Sequence, residues 1–192
     1  MFESDFFDFF SRTHFSIVPT LFVPASGVLI WYSIAGAGVG PLMTLLAVLG
    51  GFLAWTLSEY WLHRLFFHWQ PTFRWGERMH FLVHGVHHTW PHDKYRLVMP
   101  PAVSITLFVV FITLFRSTLG NHAWAFHAGY TIGYMYYDLT HYYLHHGSAK
   151  TNYGRRLKKH HMLHHFRDSG ERFGVSMKLW DYVFGTSGRS RA

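Results

Sequence analysis

Residues 133–146 read GYMYYDLTHYYLHH. An apolar, aromatic run gives way here to one acid, Asp138, and then to His141, His145 and His146. His141 and His145 are one helical turn apart, so a helix sets both imidazoles on one face. Upstream the apolar run extends back to about residue 123. Three more such runs lie at about 15–35, 42–62 and 98–116, and each approaches the roughly 20 residues that cross a hydrocarbon core. Pro19 and Pro24 are expected to kink the first, and the Pro100–Pro101 pair suits the start of the third. A Gly-rich link (Gly36, Gly38, Gly40, Pro41) joins the first two runs, and a turn around Gly120 and Asn121 joins the last two. The expected fold is an all-α integral membrane domain over residues 1–192, with four transmembrane helices arranged as two hairpins.

Composition agrees. Hydrophobic residues make up 49% of the 192 and charged residues only 14%, against about 25% in soluble domains. Mean hydropathy is just +0.06 because 17 histidines dilute the apolar blocks. With no cysteine, disulfides, iron–sulfur clusters and thiolate sites are excluded, so any transition metal must be held by nitrogen and oxygen. The N-terminal MFESDFFDFFSRTH lacks a cationic start and a small-residue cleavage site, and reads as a retained interfacial segment rather than a secretory signal. A net charge of +7 would suit nucleic acid, but the positions of the charges point elsewhere. Of the 17 Lys and Arg, all but Arg116 lie at Arg12 or in two polar regions, 63–97 and 147–192. The positive-inside rule then puts both polar regions and both termini in the cytosol, and no nucleic-acid partner is expected.

Fourteen of the 17 histidines fall in four clusters at or beyond the cytosolic ends of the second and fourth runs. They are EYWLHRLFFH (His63, His68), HFLVHGVHHTWPHD (His80, His84, His87, His88, His92), DLTHYYLHH (His141, His145, His146) and KKHHMLHHF (His160, His161, His164, His165). On a helix, His84, His87 and His88 can converge on one point, as can His161, His164 and His165. His63 and His68 are five apart, about 140° around an ideal helix, so the helix must end or loosen between them. Clustered neutral imidazoles suit divalent zinc, iron, copper or nickel, and ten of them at four or five per ion suffice for two ions. His14, His122 and His127 read as isolated, hydrogen-bonded histidines. Glu59, one turn before His63, and Asp138, three residues before His141, are candidate acceptors of a ligand's second N–H; pairing with an interfacial Arg or Lys is the competing reading. Tyr137, Tyr142 and Tyr143 read as interface-belt residues.

The boxes HxxxxH, HxxHH, HxxxH and HxxHH, met by His63/His68, His84/His87/His88, His141/His145 and His161/His164/His165, resemble those of the fatty acid hydroxylase superfamily, and within it the fatty acid 2-hydroxylases. The text between them, including RLVMPP (96–101) and FGVSMKLWDYVFGT (173–186), is similar too, over roughly 59–186. The resemblance implies a di-metal centre on the cytosolic face, holding two iron ions that zinc can replace in purified protein. It implies a lipid acyl substrate, free or ceramide-like, hydroxylated at carbon 2 with dioxygen as co-substrate. Some members carry an N-terminal cytochrome domain; only some 14 residues precede the first run here, so an external donor of cytochrome or ferredoxin type, with a reductase, is expected. Alternatives are a hydroxylase or desaturase of a sterol or carotenoid and, less well matched to boxes at the membrane face, a metal transporter or store. The aromatic loop 66–75 reads either as a substrate-channel wall or as an interfacial belt. A bacterial inner membrane is favoured over the endoplasmic reticulum. His80, His92, His146 and His160 fall outside the ten-ligand pattern.

Overall fold

The computed structural model describes residue 8 and residues 11–188; the expectation for the N-terminal segment falls largely outside them. Among the described residues every regular element is helical, as the all-α reading requires. In chain order they are α1 (Ile17–Ala35), α2 (Pro41–Trp61), a π-helical turn (Leu62–Phe67), α3 (Arg74–His80), a second π turn (Phe81–Gly85) and α4 (Val86–Thr89). Then come α5 (Pro101–Leu119), a 3-10 turn (Gly120–His122), α6 (Ala123–His146), α7 (Asn152–Phe166) and α8 (Leu179–Val183).

Three helical stretches are long and apolar enough to cross a membrane: Ile17–Ala35, Pro41–Phe67 and Pro101–His146. The last covers two of the four expected runs and is divided at the 3-10 turn, where Gly120 takes a φ of 55°, a conformation that favours glycine. Helix ends differ from the expected ones in an informative way. α6 continues past residue 140 to His146 because no glycine or proline intervenes before Gly147, whose N–H closes the last turn on Tyr143 O. Loss of apolarity is not a helix stop. α5 starts three residues later than expected because Pro100, at φ −58° and ψ 141°, is extended and Pro101 takes the first helical position. In α1, Pro24 lies inside the helix while Pro19 falls in the first turn, where a missing N–H has no partner to lose.

The chain forms two compact units. The first holds the described residues up to Thr56 together with Val98–Leu139. Its outside is apolar where a soluble protein would be polar: Leu42, Leu45, Leu46, Leu49 and Leu53 point outward, while Ser26, Ser33, Thr44, Thr56, Ser104 and Thr131 are buried beside Phe22, Trp55, Tyr130 and Tyr134. An outer surface of that kind is stable against hydrocarbon rather than water. α5 and α6 run antiparallel, with ring contacts Phe115–Phe126 and Phe111–Tyr130 at 4.9 and 5.0 Å. α2 and α6 approach so closely that a methyl group on Gly51 would strike Phe126 O, and one on Gly129 would strike Val48 O. Gly133, one turn on from Gly129, gives room to the Trp55 side chain. This small-xxx-small spacing of Gly129 and Gly133 is a membrane-helix packing device.

The second unit holds Leu57–Leu97 and the described residues from Thr140 onward. Its interior is polar, with His63, His84, His87, His141, His145, His160, His161, His164 and Asp181 all buried.

Candidate metal centre

The five-residue spacing of His63 and His68 is accommodated by the π turn at Leu62–Phe67. His68 N–H donates to His63 O at 3.2 Å, the i to i−5 bond of a π helix. Widening the turn swings His68 back over His63, so their Nε2 atoms are 3.2 Å apart. The loosening that the sequence demands thus takes the form of a π bulge.

The ten histidines of the four boxes gather into two groups. One is His63, His68, His84, His88 and His164; the other is His87, His141, His145, His161 and His165. Within each group the candidate ligand nitrogens lie within 4.8 Å of one another. The division corrects one expectation. Neither HxxHH triad converges on a single point: His84 and His88 face the first group while His87 faces the second, and His161 and His165 face the second while His164 faces the first. The reason is helical. Residues i and i+4 are about 40° apart, but i+3 and i+4 are about 100° apart and aim at different centres. Each triad therefore gives two imidazoles to one group and one to the other. The HxxxxH box completes the first group and the HxxxH box the second, a two-fold relation between the halves of the chain.

The groups pass a chemical test for metal. His63 Nδ1 lies 2.6 Å from Phe173 O and His164 Nδ1 lies 2.7 Å from Glu171 O. A carbonyl only accepts, so each Nδ1 carries the proton and each Nε2 presents a bare lone pair. Those lone pairs point at other imidazole nitrogens: His164 Nε2 is 2.9 Å from His68 Nε2, and His63 Nε2 is 3.2 Å from His84 Nε2. In the second group, His145–His161, His87–His165 and His161–His165 are 2.8, 3.0 and 3.1 Å apart. Adjacent nitrogens around an ion at ~2.1 Å stand about 3 Å apart, so the spacing is that of a coordination shell. Converging lone pairs repel one another unless a cation lies among them. Burial, reinforced by neighbouring imidazoles, keeps the rings in the neutral, ligating form. It pushes His68 down to about 3 and His88 to about 4, and holds His84, His87 and His161 well below the ordinary imidazole value. An all-nitrogen donor set suits iron, zinc, copper or nickel and disfavours calcium and magnesium.

The two acids stand elsewhere than expected. Glu59 does not take the second N–H of His63; its Oε1 accepts from Val175 N–H and Ser176 N–H at 2.8 and 2.7 Å, and its Oε2 accepts from the Ser176 hydroxyl. Asp138 accepts from Met99 N–H at 3.3 Å and from the Tyr134 hydroxyl at 3.0 Å, which ties the start of α5 to α6. The sequence reading missed Asp181. Fully buried, it accepts from Phe173 N–H, Gly174 N–H and Thr186 Oγ1, each at 2.8 Å, and from His160 Nε2 at 2.9 Å. A single acid among the apolar residues of LWDYV was the available signal. His160, outside the ten, is therefore the partner of that acid. In loop 66–75, Phe66, Trp69, Phe73 and Trp75 are exposed, while Phe67 stacks on the His84 ring at 5.0 Å.

The chain is similar to known proteins along most of its length. The family model described as fatty acid hydroxylase matches residues 48–186. A dihydroceramide fatty acyl 2-hydroxylase of Arabidopsis thaliana is 41% identical over 186 residues, covering 96% of this chain and 78% of that protein. A ceramide very long chain fatty acid hydroxylase of Saccharomyces cerevisiae is 38% identical over 186 residues, covering 95% of this chain and 48% of that protein. The solved structure described as full-length scs7p, with only its hydroxylase domain visible, superposes with a TM-score of 0.89 at 36% identity, covering 95% of this chain and 70% of the other. On the match of the family model over most of its length, and on these relatives, the chain belongs to the fatty acid hydroxylase family.

Proposed function

We propose that this membrane oxidoreductase is a di-iron hydroxylase that converts a C–H bond at carbon 2 of a fatty acyl chain, free or within a ceramide-like lipid, to C–OH. The observation that carries the reading is the gathering of ten imidazole nitrogens into two groups of five, in a chain whose relatives are named as acyl 2-hydroxylases. His63, His68, His84, His88 and His164 would hold one ion, and His87, His141, His145, His161 and His165 the other. Iron bound there supplies the redox couple that dioxygen activation needs and that zinc lacks. One oxygen atom of dioxygen enters the C–H bond and the other leaves as water, which takes two electrons and two protons. A separate donor of cytochrome or ferredoxin type, with its reductase, supplies the electrons.

The proposed topology has four crossings in two hairpins. Pro101–His146, at 46 residues, would rise about 69 Å as one helix, more than twice the ~30 Å hydrocarbon thickness. The turn at Gly120–His122 lets it cross twice. Pro41–Phe67, at 27 residues, rises about 40 Å, enough to carry His63 and His68 beyond the hydrocarbon. The Lys150, Arg155, Arg156, Lys158 and Lys159 cluster supports a cytosolic side for the proposed histidine-bearing helical cap. The relatives named above come from a plant and a yeast, and with them the endoplasmic reticulum becomes the favoured membrane in place of a bacterial one.

The chain's own residues contribute position. An acyl chain held by its polar head at the interface presents the carbon beside the carbonyl to the site first, so regioselectivity follows from anchoring. Phe67, stacked on His84, shields that imidazole from water. The test is expression with iron and a reductase in a host lacking 2-hydroxy acyl lipids, followed by lipid mass spectrometry. A gain of one oxygen at carbon 2, lost in His87→Ala and His161→Ala, is expected. A loss of two hydrogens instead would make the protein a desaturase, and unchanged lipids in a metal-loaded preparation would overturn the reading.

A further inference from the structure

Four consecutive backbone N–H groups, those of Phe173, Gly174, Val175 and Ser176, all end on two buried carboxylates. Asp181 takes the first two and Glu59 the last two. Two carbonyls of this loop meet histidines of the site: Phe173 O takes the Nδ1–H of His63 and Glu171 O takes that of His164. Both anchored imidazoles belong to the first group. In each case the residue four positions earlier on the same helix ties that helix to the clamp, Glu59 before His63 directly and His160 before His164 through Asp181. The loop is tightly specified. Arg172 adopts a φ of 65°, rare for a residue with a side chain, and its N–H is held by Thr186 O at 2.7 Å. A methyl group on Gly174 would strike Met177 O and press on Asp181.

Two imidazoles of the second group lack such an anchor among the described residues. The Nδ1 atoms of His161 and His165 are buried and find no hydrogen-bond partner among the described residues. A hydrogen bond from Nδ1–H to a carbonyl makes the opposite nitrogen a better donor and fixes the ring plane, and losing such a bond typically lowers metal affinity by about 10–100-fold.

Resting on the reading that each group holds one ion, we propose that Glu59 and Asp181 are positioning residues. They fix loop 171–176 so that it orients His63 and His164, and the ion of the first group is thereby held more tightly than that of the second.

The experiment is chelator competition on the intact protein in detergent, loaded with cobalt or zinc, with bound metal counted by elemental analysis. The wild type is expected to lose one ion quickly and the other slowly. His165→Ala should weaken or abolish the quick step and leave the slow ion, which assigns the phases. Asp181→Asn should speed the slow step by about 10–100-fold, leave the quick step unchanged, and shift the absorption bands of the retained cobalt ion. A merely structural role would not move one ion's release and spectrum alone. If Asp181→Asn fails to fold, Ser176→Ala removes only the hydroxyl bond to Glu59 and should speed the same step more modestly. Release of both ions together from the wild type, or acceleration of the quick step alone in the variants, would overturn the inference. A wild type that binds no metal would instead refute the metal reading on which it rests.

Discussion

Glu59, at the end of α2, and His63, in the π turn that continues it, are four residues apart and are coupled through a loop more than a hundred residues away. Glu59 holds the N–H groups of Val175 and Ser176, and the carbonyl of Phe173, two residues before Val175, holds His63 Nδ1. Helix, carboxylate, loop and imidazole make a closed ring. Glu59→Ala opens it and leaves two buried N–H groups and a hydroxyl unpaired, at about 1–3 kcal/mol each. A lowered thermal midpoint in detergent, with weakened retention of one of two bound ions, is the expected outcome. Ser176→Ala removes one donor and leaves only Glu59 Oε2 short of a bond, one group against three, and should cost about 1–3 kcal/mol in all. Thermal melts of the two variants side by side check the ranking.

The division of each HxxHH triad between the two groups makes adjacent histidines non-equivalent. His88→Ala and His164→Ala strip the same group, although 76 residues separate them; His87→Ala strips the other, although it is the neighbour of His88. Pairs within one group are therefore expected to be strongly non-additive, the double His88/His164 variant losing little more metal than either single variant. Residues acting as a unit behave in this way. The His87/His88 double variant should lose both ions. Metal stoichiometry of the five variants decides it.

Close contact between α2 and α6 predicts opposite effects of one chemical change at two glycines. A methyl group at Gly129 would meet the Val48 carbonyl, whereas one at Gly27, exposed within α1, meets nothing within 4 Å. Gly129→Ala should destabilise the folded protein by about 1–3 kcal/mol through overpacking. Gly27→Ala should be neutral or stabilising by up to about 1 kcal/mol, because it restricts only the unfolded chain. Thermal unfolding followed by circular dichroism separates the two.

What the sequence disclosed and what it withheld divide along the range of the interactions. The ten histidines are legible because each box is local: spacings of three and four place imidazoles on a helix face, and the five-residue spacing demands that the helix end or loosen, which it does in the π turn at Leu62–Phe67. The sharing of a triad between two centres is not legible from one helix, since it depends on where the other boxes stand. The role of Glu59 is hidden for the same reason, as its partners lie 116 and 117 residues downstream. Asp181 carries no spacing signal at all. Its meaning comes from the four groups that end on it, gathered from Phe173, Gly174, Thr186 and His160.

Removal of metal should affect the two units unequally. The interior of the second unit is rich in imidazoles whose ligand nitrogens converge, and the Nδ1 bonds of His63 and His164 to backbone carbonyls fix only those two rings to loop 171–176. Ions bound there stabilise the folded unit by mass action, about 2.7 kcal/mol for each ion at a hundredfold excess over its dissociation constant. The first unit depends instead on apolar helix packing and close glycine contacts, which chelation leaves intact. A chelated sample is therefore expected to open first at residues 63–97 and 147–188, while α1, α5 and the apolar part of α2 keep their protection. Hydrogen exchange read by mass spectrometry, with and without chelator, should show that contrast, with the loop 171–176 exchanging faster once His63 and His164 are no longer drawn to an ion. Uniform loss of protection across both units would mean that they unfold as one, and that the ions stabilise the hairpins as much as the site.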